Sequence, residues 1–268
     1  MKNILLISAF ILLGTSCQKV INVDLNAANP QYVIEANLYE GTHTFTVRVT
    51  QTTSYFQGGS NIPTVDNASI TISDGINPPQ TLLATGNGTY ELMNYTAFNQ
   101  LTYQLKVNVD GKTFEASSYL PVSPVMDSLT YEIYVSQFGG GGKEDRYLST
   151  AHFQDSVGVA NYYRLLVTKN GKFENGPFDL FMFDDQVRDG RYFDLPVFTA
   201  FAEKDDHLDV EILSMDAHVY DYFVTLGDIL TGDANNSAAP ANPNSNFTNG
   251  ALGYFGAFSS MKQSVRIE

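Results

Sequence analysis

The feature that most constrains this chain is a period of two. In Leu101–Val109 (LTYQLKVNV) apolar Leu101, Tyr103, Leu105, Val107 and Val109 alternate with polar residues. Successive side chains of a strand point to opposite faces, so this pattern builds one buried face and one wet one. Thr44–Thr50 repeats it through Phe45, Val47 and Val49, and Ala68–Ser73 through Ala68, Ile70 and Ile72. Tyr32–Tyr39, Gly88–Leu92 and Thr113–Ala116 read as further short strands, and Gly58–Asn61 as a loop. Asp74-Gly75 is a turn signal, and Asp110-Gly111 closes a hairpin between two of the strands. So many short strands within about 90 residues, with no helical periodicity, predict an immunoglobulin-like β-sandwich over residues 31–122. Pro121 and Pro124 punctuate its end.

Residues 123–268 are also mostly strand-like. Asp127–Val135, Tyr147–Gln154, Asn161–Thr168 and Leu208–Leu213 read as strands, and Asn170-Gly171 as a hairpin turn leading to Phe173. One helix stands out over Asp216–Leu226, where Val219, Tyr222, Phe223 and Leu226 form a single apolar stripe. Ser214 is the expected cap. Thr231–Asn246 reads as a long loop, and Gly253–Phe258 and Val265–Ile267 as two closing strands. The predicted class is mainly all-β: an N-terminal immunoglobulin-like sandwich, then a β-rich domain (123–268) with one packed helix.

The N-terminus carries a different signal. Lys2 precedes an apolar run, Ile4–Leu13, which ends at the small residues Gly14, Thr15 and Ser16. This is the layout of a secretory signal peptide over residues 1–16. The run is shorter than the roughly 20 residues a membrane-spanning helix needs. Cys17 is the sole cysteine, so no internal disulfide can form. Its place after a small-residue cleavage site resembles a bacterial lipobox, which makes Cys17 the expected lipidation site and residues 17–30 a tether. Two acyl chains give stable anchoring where one does not. With Lys+Arg 15 against Asp+Glu 29, the net charge is −14. Such a surface repels phosphate backbones, which excludes nucleic acid as a partner.

No catalytic constellation emerges. His43, His152, His207 and His218 lack metal-ligand spacing, so no zinc site is expected. Gly59-Ser60-Asn61 lacks the context of a nucleophile elbow. Gly111-Lys112-Thr113 mimics the end of a phosphate-binding loop but sits in a hairpin turn, and Gly139–Lys143 reads as a hairpin tip. Asp184, Asp185, Asp189 and Asp194 form an oxygen-rich stretch able to offer ligands to Ca²⁺. Their spacing is not that of an EF-hand, and Arg188 and Arg191 stand ready to neutralise them, so a solvated loop with local ion pairs is expected. Tyr55-Phe56, Tyr95 and Tyr162-Tyr163 could stack on sugars, but aromatics dominate cores and the core role is expected. No cofactor, metal or catalytic residue is assigned, and the chain is not expected to be an enzyme.

Taken together, Cys17–Leu25, Tyr32–Ala36, Gly88–Tyr90, Leu101–Leu105, Asn161–Arg164, Phe183–Asp185, Met215–Leu226 and above all Asn249–Ala257 resemble DUF4249, a family of Bacteroidetes lipoproteins of unknown function. The resemblance implies an accessory lipoprotein of the outer membrane, with a TonB-dependent nutrient receptor as its partner. A lipoprotein that captures a glycan or peptide is the alternative, and a hydrolase the remote third reading. Surface-exposed lipoproteins of that phylum often carry acidic residues directly after the cysteine. Here Gln18, Lys19 and Val20 follow and the first acid is Asp24, so the membrane face stays open.

Overall fold

A computed structural model describes residues 30–53, 62–134, 146–174, 176, 179–232 and 242–268. Cys17, the tether, Tyr55-Phe56, Gly59–Asn61 and Gly139–Lys143 lie outside the described residues.

The first eight strands are β1 (Tyr32–Tyr39), β2 (Gly41–Gln51), β3 (Ser69–Ser73), β4 (Gln80–Thr81), β5 (Leu83–Gly86), β6 (Thr89–Ala97), β7 (Leu101–Val109) and β8 (Lys112–Leu120). They pair in the order β1-β2-β6-β5 in one layer and β4-β3-β7-β8 in the other. In immunoglobulin lettering these are A-B-E-D against C′-C-F-G, so the expected sandwich is present. Its Asp110-Gly111 turn has φ +49° and +73°, the left-handed pair a two-residue hairpin needs. Tyr103, early in β7, is fully buried. Its hydroxyl accepts from Phe98 N at 2.7 Å and lies 3.1 Å from Phe98 O, the tyrosine corner of such sandwiches.

The remainder comprises β9 (Met126–Ile133), β10 (Tyr147–Gln154), β11 (Tyr162–Lys169), β12 (Lys172–Glu174), β13 (Phe181–Asp184), β14 (Tyr192–Pro196), β15 (His207–Met215), helix α1 (Ala217–Thr231) and β16 (Leu252–Arg266). The two predicted closing strands are one strand. The polar run Ser259–Ser264 hides its continuity, because Met261 points into a core while Ser260 and Lys262 point out. β16 pairs parallel with β1 from Val33↔Leu252 to Tyr39↔Phe258, then antiparallel with β15 from Ser214↔Ser259 to His207↔Arg266. The result is a nine-stranded sheet, ordered β12-β11-β15-β16-β1-β2-β6-β5, with β13 also on β11.

Register fixes what covers this sheet. Ile34, Ala36, Leu38, Phe255 and Ala257 enter the first core, under β4-β3-β7-β8. Tyr163, Leu165, Val210, Ile212 and Met261 point to the same side and enter a second core, under the three-stranded sheet β14-β10-β9. The opposite face carries α1, whose Val219, Tyr222 and Phe223 pack on Leu213, Met215, Tyr254 and Phe258. Along the chain the cores change over between Leu120 and Met126, and Phe247, Ala251 and β16 return to the first.

The helix cap differs from expectation. Ser214 lies within β15, and Asp216 caps α1 by accepting from His218 N (2.9 Å) and Val219 N (3.0 Å). Its second oxygen accepts from Tyr119 N at 2.9 Å and bonds the Ser118 hydroxyl, tying α1 to β8. No helix among the described residues is long and apolar enough to cross a membrane.

Candidate functional site

The helix covers only part of the outer face of the large sheet. Beside it, cross-strand register lines up Glu35, Asn37 and Tyr39 of β1 with Tyr254, Gly256 and Phe258 of β16, and Arg48 and Thr46 of β2 with Glu35 and Asn37. Tyr39 divides the resulting groove. On one side a cavity of about 360 Å³ is lined by Glu40, His43, Leu166, Glu211, Leu213, Phe258 and Ser260. On the other, one of about 360 Å³ is lined by Glu35, Asn37, Thr44, Thr46, Arg48 and Tyr254.

Arg164 of β11 lies near Tyr39 and Tyr254 but lines neither cavity. Its guanidinium carbon lies 4.3 Å from the centre of the Phe223 ring. Its Nε is sealed from solvent and has no hydrogen-bond partner. None of the ion pairs within 4.0 Å among the described residues includes it. Burial pulls the guanidinium below the usual arginine pKa, partly offset by the nearby Tyr254 and Tyr39 oxygens. Burial likewise raises the Tyr39 phenol, and the Glu211 carboxylate raises it further. Tyr254 donates to Asn37 Oδ1 at 2.8 Å, which fixes the other wall. Sequence reasoning missed this site, because its members come from five strands, β1, β2, β11, β15 and β16, drawn from both ends of the chain.

The acidic stretch divides differently than expected. Asp185 and Asp189 converge with Asp155, with carboxylate oxygens within 4.8 Å of one another. Asp184 instead lies 3.5 Å from the Tyr220 hydroxyl, and Asp194 bonds His152. Four of the six oxygens in the trio already accept hydrogen bonds. Asp155 takes Tyr163 Oη (2.5 Å) and Gly190 N (2.9 Å), Asp185 takes Asn161 N and Nδ2, and Asp189 takes Gly158 N. These bonds clamp the loop that carries Asp155 and Gly158 to the one that carries Asp185 and Asp189. The expected local ion pairs do not form: Arg188 lies over the Phe193 ring at 5.5 Å, and neither it nor Arg191 is in an ion pair among the described residues.

A third constellation spans β9, β10 and β14. The Thr130 hydroxyl lies 2.7 Å from His152 Nε2, and His152 Nδ1 lies 2.7 Å from Asp194 Oδ1. With the carboxylate accepting from Nδ1–H, Nε2 is left to accept from the hydroxyl, the order of a hydroxyl–imidazole–carboxylate relay. The row faces solvent, with the Asp194 side chain 68 % exposed. Acyl transfer also needs a cleft and oxyanion donors, and the described residues place this row on an exposed strand face. The arrangement is a cross-strand polar cluster. Period-two reading of β9 and β10 places Thr130 and His152 on polar faces, but only register makes them neighbours.

Of the aromatic candidates, Tyr95 and Tyr163 are core residues, and Tyr162 packs on Tyr220 with ring centres 5.0 Å apart. Of Gly111-Lys112-Thr113, Gly111 lies in the two-residue hairpin turn, and Lys112 and Thr113 open β8.

A family model described as a domain of unknown function, DUF4249, matches residues 18–264. The chain belongs to this family. No curated protein matches it. The DUF4249 match spans both sandwiches and the groove. The segment Asn249–Ala257, the most distinctive part of the resemblance, supplies the groove wall Tyr254. It also supplies Gly256, where a Cβ would stand 2.4 Å from the folded-back Phe258 ring and 3.1 Å from Val219 of the helix.

Proposed function

We propose that this DUF4249 chain is an exported lipoprotein, held on the outer membrane through diacylated Cys17, which acts by binding rather than by turnover. Its partner in this reading is a TonB-dependent nutrient receptor. The observation that carries it is the run Met1–Cys17, a charged start and a short apolar stretch with small residues before the only cysteine. The exposed relay at His152 and the hydrogen-bonded trio at Asp155 support binding over chemistry, since neither sits in a cleft with free reactive groups.

The test is a pull-down of C-terminally tagged protein from outer membranes in mild detergent, beside radiolabelled palmitate incorporation. Co-purification of a large β-barrel receptor at stoichiometric yield, and labelling lost in Cys17→Ala, are expected. A protein that emerges alone has no accessory role, and labelling that survives Cys17→Ala removes the anchor. Turnover of any ester or peptide substrate that is lost in His152→Ala would overturn the non-catalytic reading.

A second reading, capture of a small ligand such as a glycan or peptide, is favoured by the groove, whose two cavities are of ligand size.

A further inference from the structure

We propose that the outer face of the β4-β3-β7-β8 layer binds an uncharged glycan, in a trough lined by Thr71, Gln104, Lys106, Glu115 and Ser117; this gives the capture reading a ligand class and rests on it. The trough is a cavity of about 480 Å³, within the roughly 300–1,000 Å³ of small-molecule sites. It shares no lining residue with the two cavities beside Tyr39.

The period of two builds its floor. The alternation that buries Tyr103, Leu105 and Val107 turns Gln104 and Lys106 outward, and β8 turns Glu115 and Ser117 outward around buried Ala116. Register sets Gln104 beside Ser117 and Lys106 beside Glu115, with Ser73 and Thr71 of β3 on the other flank. Pro79, just before β4, stands at one side, and Asn246 and Thr248 stand at the β8 side. Thr248 Oγ1 accepts from Glu115 N at 2.9 Å, Asn246 Nδ2 donates to Ser117 O at 3.3 Å, and Asn249 Nδ2 donates to Thr113 O at 2.8 Å. The edge of β8 between Thr113 and Ser117 is thereby taken, which closes it to an added peptide strand.

Charge selects the class. The chain has a net charge of −14, yet among the described residues the only charges lining the trough are Lys106 and Glu115, paired with each other at 2.9 Å. An ionic ligand gains from one member of this pair what it loses to the other. A sugar hydroxyl is donor and acceptor at once, so it can accept from the ammonium and donate to the carboxylate with the pair intact. The rest of the floor has the same dual character: the Gln104 amide and the hydroxyls of Thr71, Ser73 and Ser117 each donate and accept. Pro79 offers apolar surface to the C–H face of a sugar ring.

The full chain in mild detergent, applied to an array of oligosaccharides with each neutral chain beside its uronate counterpart and to an array of peptides, tests this. Neutral glycans are expected to bind at least about tenfold more tightly than the uronates. The strongest neutral glycan is then titrated by calorimetry. The Gln104→Ala, Ser117→Ala double variant is expected to weaken it at least about tenfold, the equivalent of two neutral hydrogen bonds. Thr46→Ala, in the groove beside Tyr39, leaves it unchanged. Glu115→Gln strands the Lys106 charge and moves the preference toward the uronate. All four positions are exposed, and an unchanged urea midpoint verifies the fold of each variant. Uronate binding by the native chain that equals or exceeds neutral binding overturns the assignment. Glycan binding lost in Thr46→Ala but kept in the double variant overturns it in favour of the Tyr39 groove, with capture standing. Binding to peptides alone overturns the glycan class and also leaves capture standing. No binding on either array overturns the assignment and takes the capture reading with it.

Discussion

Gly253 holds φ +87°, and a Cβ on it would stand 2.1 Å from the Ile34 carbonyl oxygen. No rotamer relieves a Cβ contact with backbone, so Gly253→Ala must push β16 off β1. The expected loss is about 3 kcal/mol or more, since strain and clash add. Gly75, at φ +75° with nothing near, is the control: Gly75→Ala costs only the left-handed penalty of about 1 kcal/mol. Urea denaturation of both variants compares them, and equal midpoints would remove the close approach. Ser259 points the other way. It is buried where the two cores meet, and its hydroxyl has no partner. Ser259→Ala is expected to stabilise the protein by about 1 kcal/mol, because an unpaired buried hydroxyl disappears; a lower urea midpoint would show that the hydroxyl is satisfied. Four aspartates among the described residues contribute to the acid response; one is Asp206, where burial raises the carboxyl but the Asn170 side chain and Glu203 N–H hold it below its ordinary value. Backbone N–H of Asn77 holds the Asp74 carboxyl below its ordinary 3.8, the Tyr32 hydroxyl does so for Asp110, and the Ser264 hydroxyl for Asp209. A folded pKa below the unfolded one adds stability that is complete above the unfolded value and lost as pH falls through the folded one. Midpoints measured across pH should therefore stay level down to about pH 4.5 and then decline, less steeply in the Asp74→Asn, Asp209→Asn double variant.

Asp216 joins two elements. One oxygen caps α1 and the other holds β8 through Tyr119 N and the Ser118 hydroxyl. Asp216→Ala is expected to cost about 2 kcal/mol, the upper end of a cap loss, because β8 loses its partner too. Ser214→Ala should not weaken the helix, and far-ultraviolet dichroism during denaturation separates the two variants. Aspartate is a strong cap by residue type, yet the reading placed the cap at Ser214, since the end of β15 was set two residues early. The strands themselves were legible where alternation was long. Leu101–Val109 and Tyr147–Gln154 were read to the residue. β13 was not: all four residues of Phe181–Asp184 are half-buried, so no alternation marks them. β14 alternates over only five residues, with Phe193 and Leu195 inward, inside a stretch whose acids and Gly190 read as loop. The groove was invisible for another reason. Tyr39, Arg164, Phe223 and Tyr254 become neighbours only through the parallel pairing of the last strand with the first, and local periodicity carries no information about such pairing.

At the scale of the whole molecule, that pairing decides how the protein unfolds. Two sandwiches built from consecutive segments would be free to melt separately, as domains with few shared contacts do. Here β16 is at once a strand of both, with Phe255 and Ala257 in the first core and Met261 in the second. The second sandwich cannot lose β16 without exposing the outer edge of β1, and the first cannot lose it without stripping β15. One cooperative transition is therefore expected in calorimetry, with calorimetric and van't Hoff enthalpies in agreement. Met261→Ala, which removes a side chain only 5 % exposed, should cost about 2–5 kcal/mol. It should also lower the melting temperature seen by a probe on β7 as much as that seen by one on β10. Two transitions, with Met261→Ala moving only the one reported from β10, would mean that β16 yields between Phe258 and Ser259. The cavity between Tyr39 and Glu211 would then lie across a hinge.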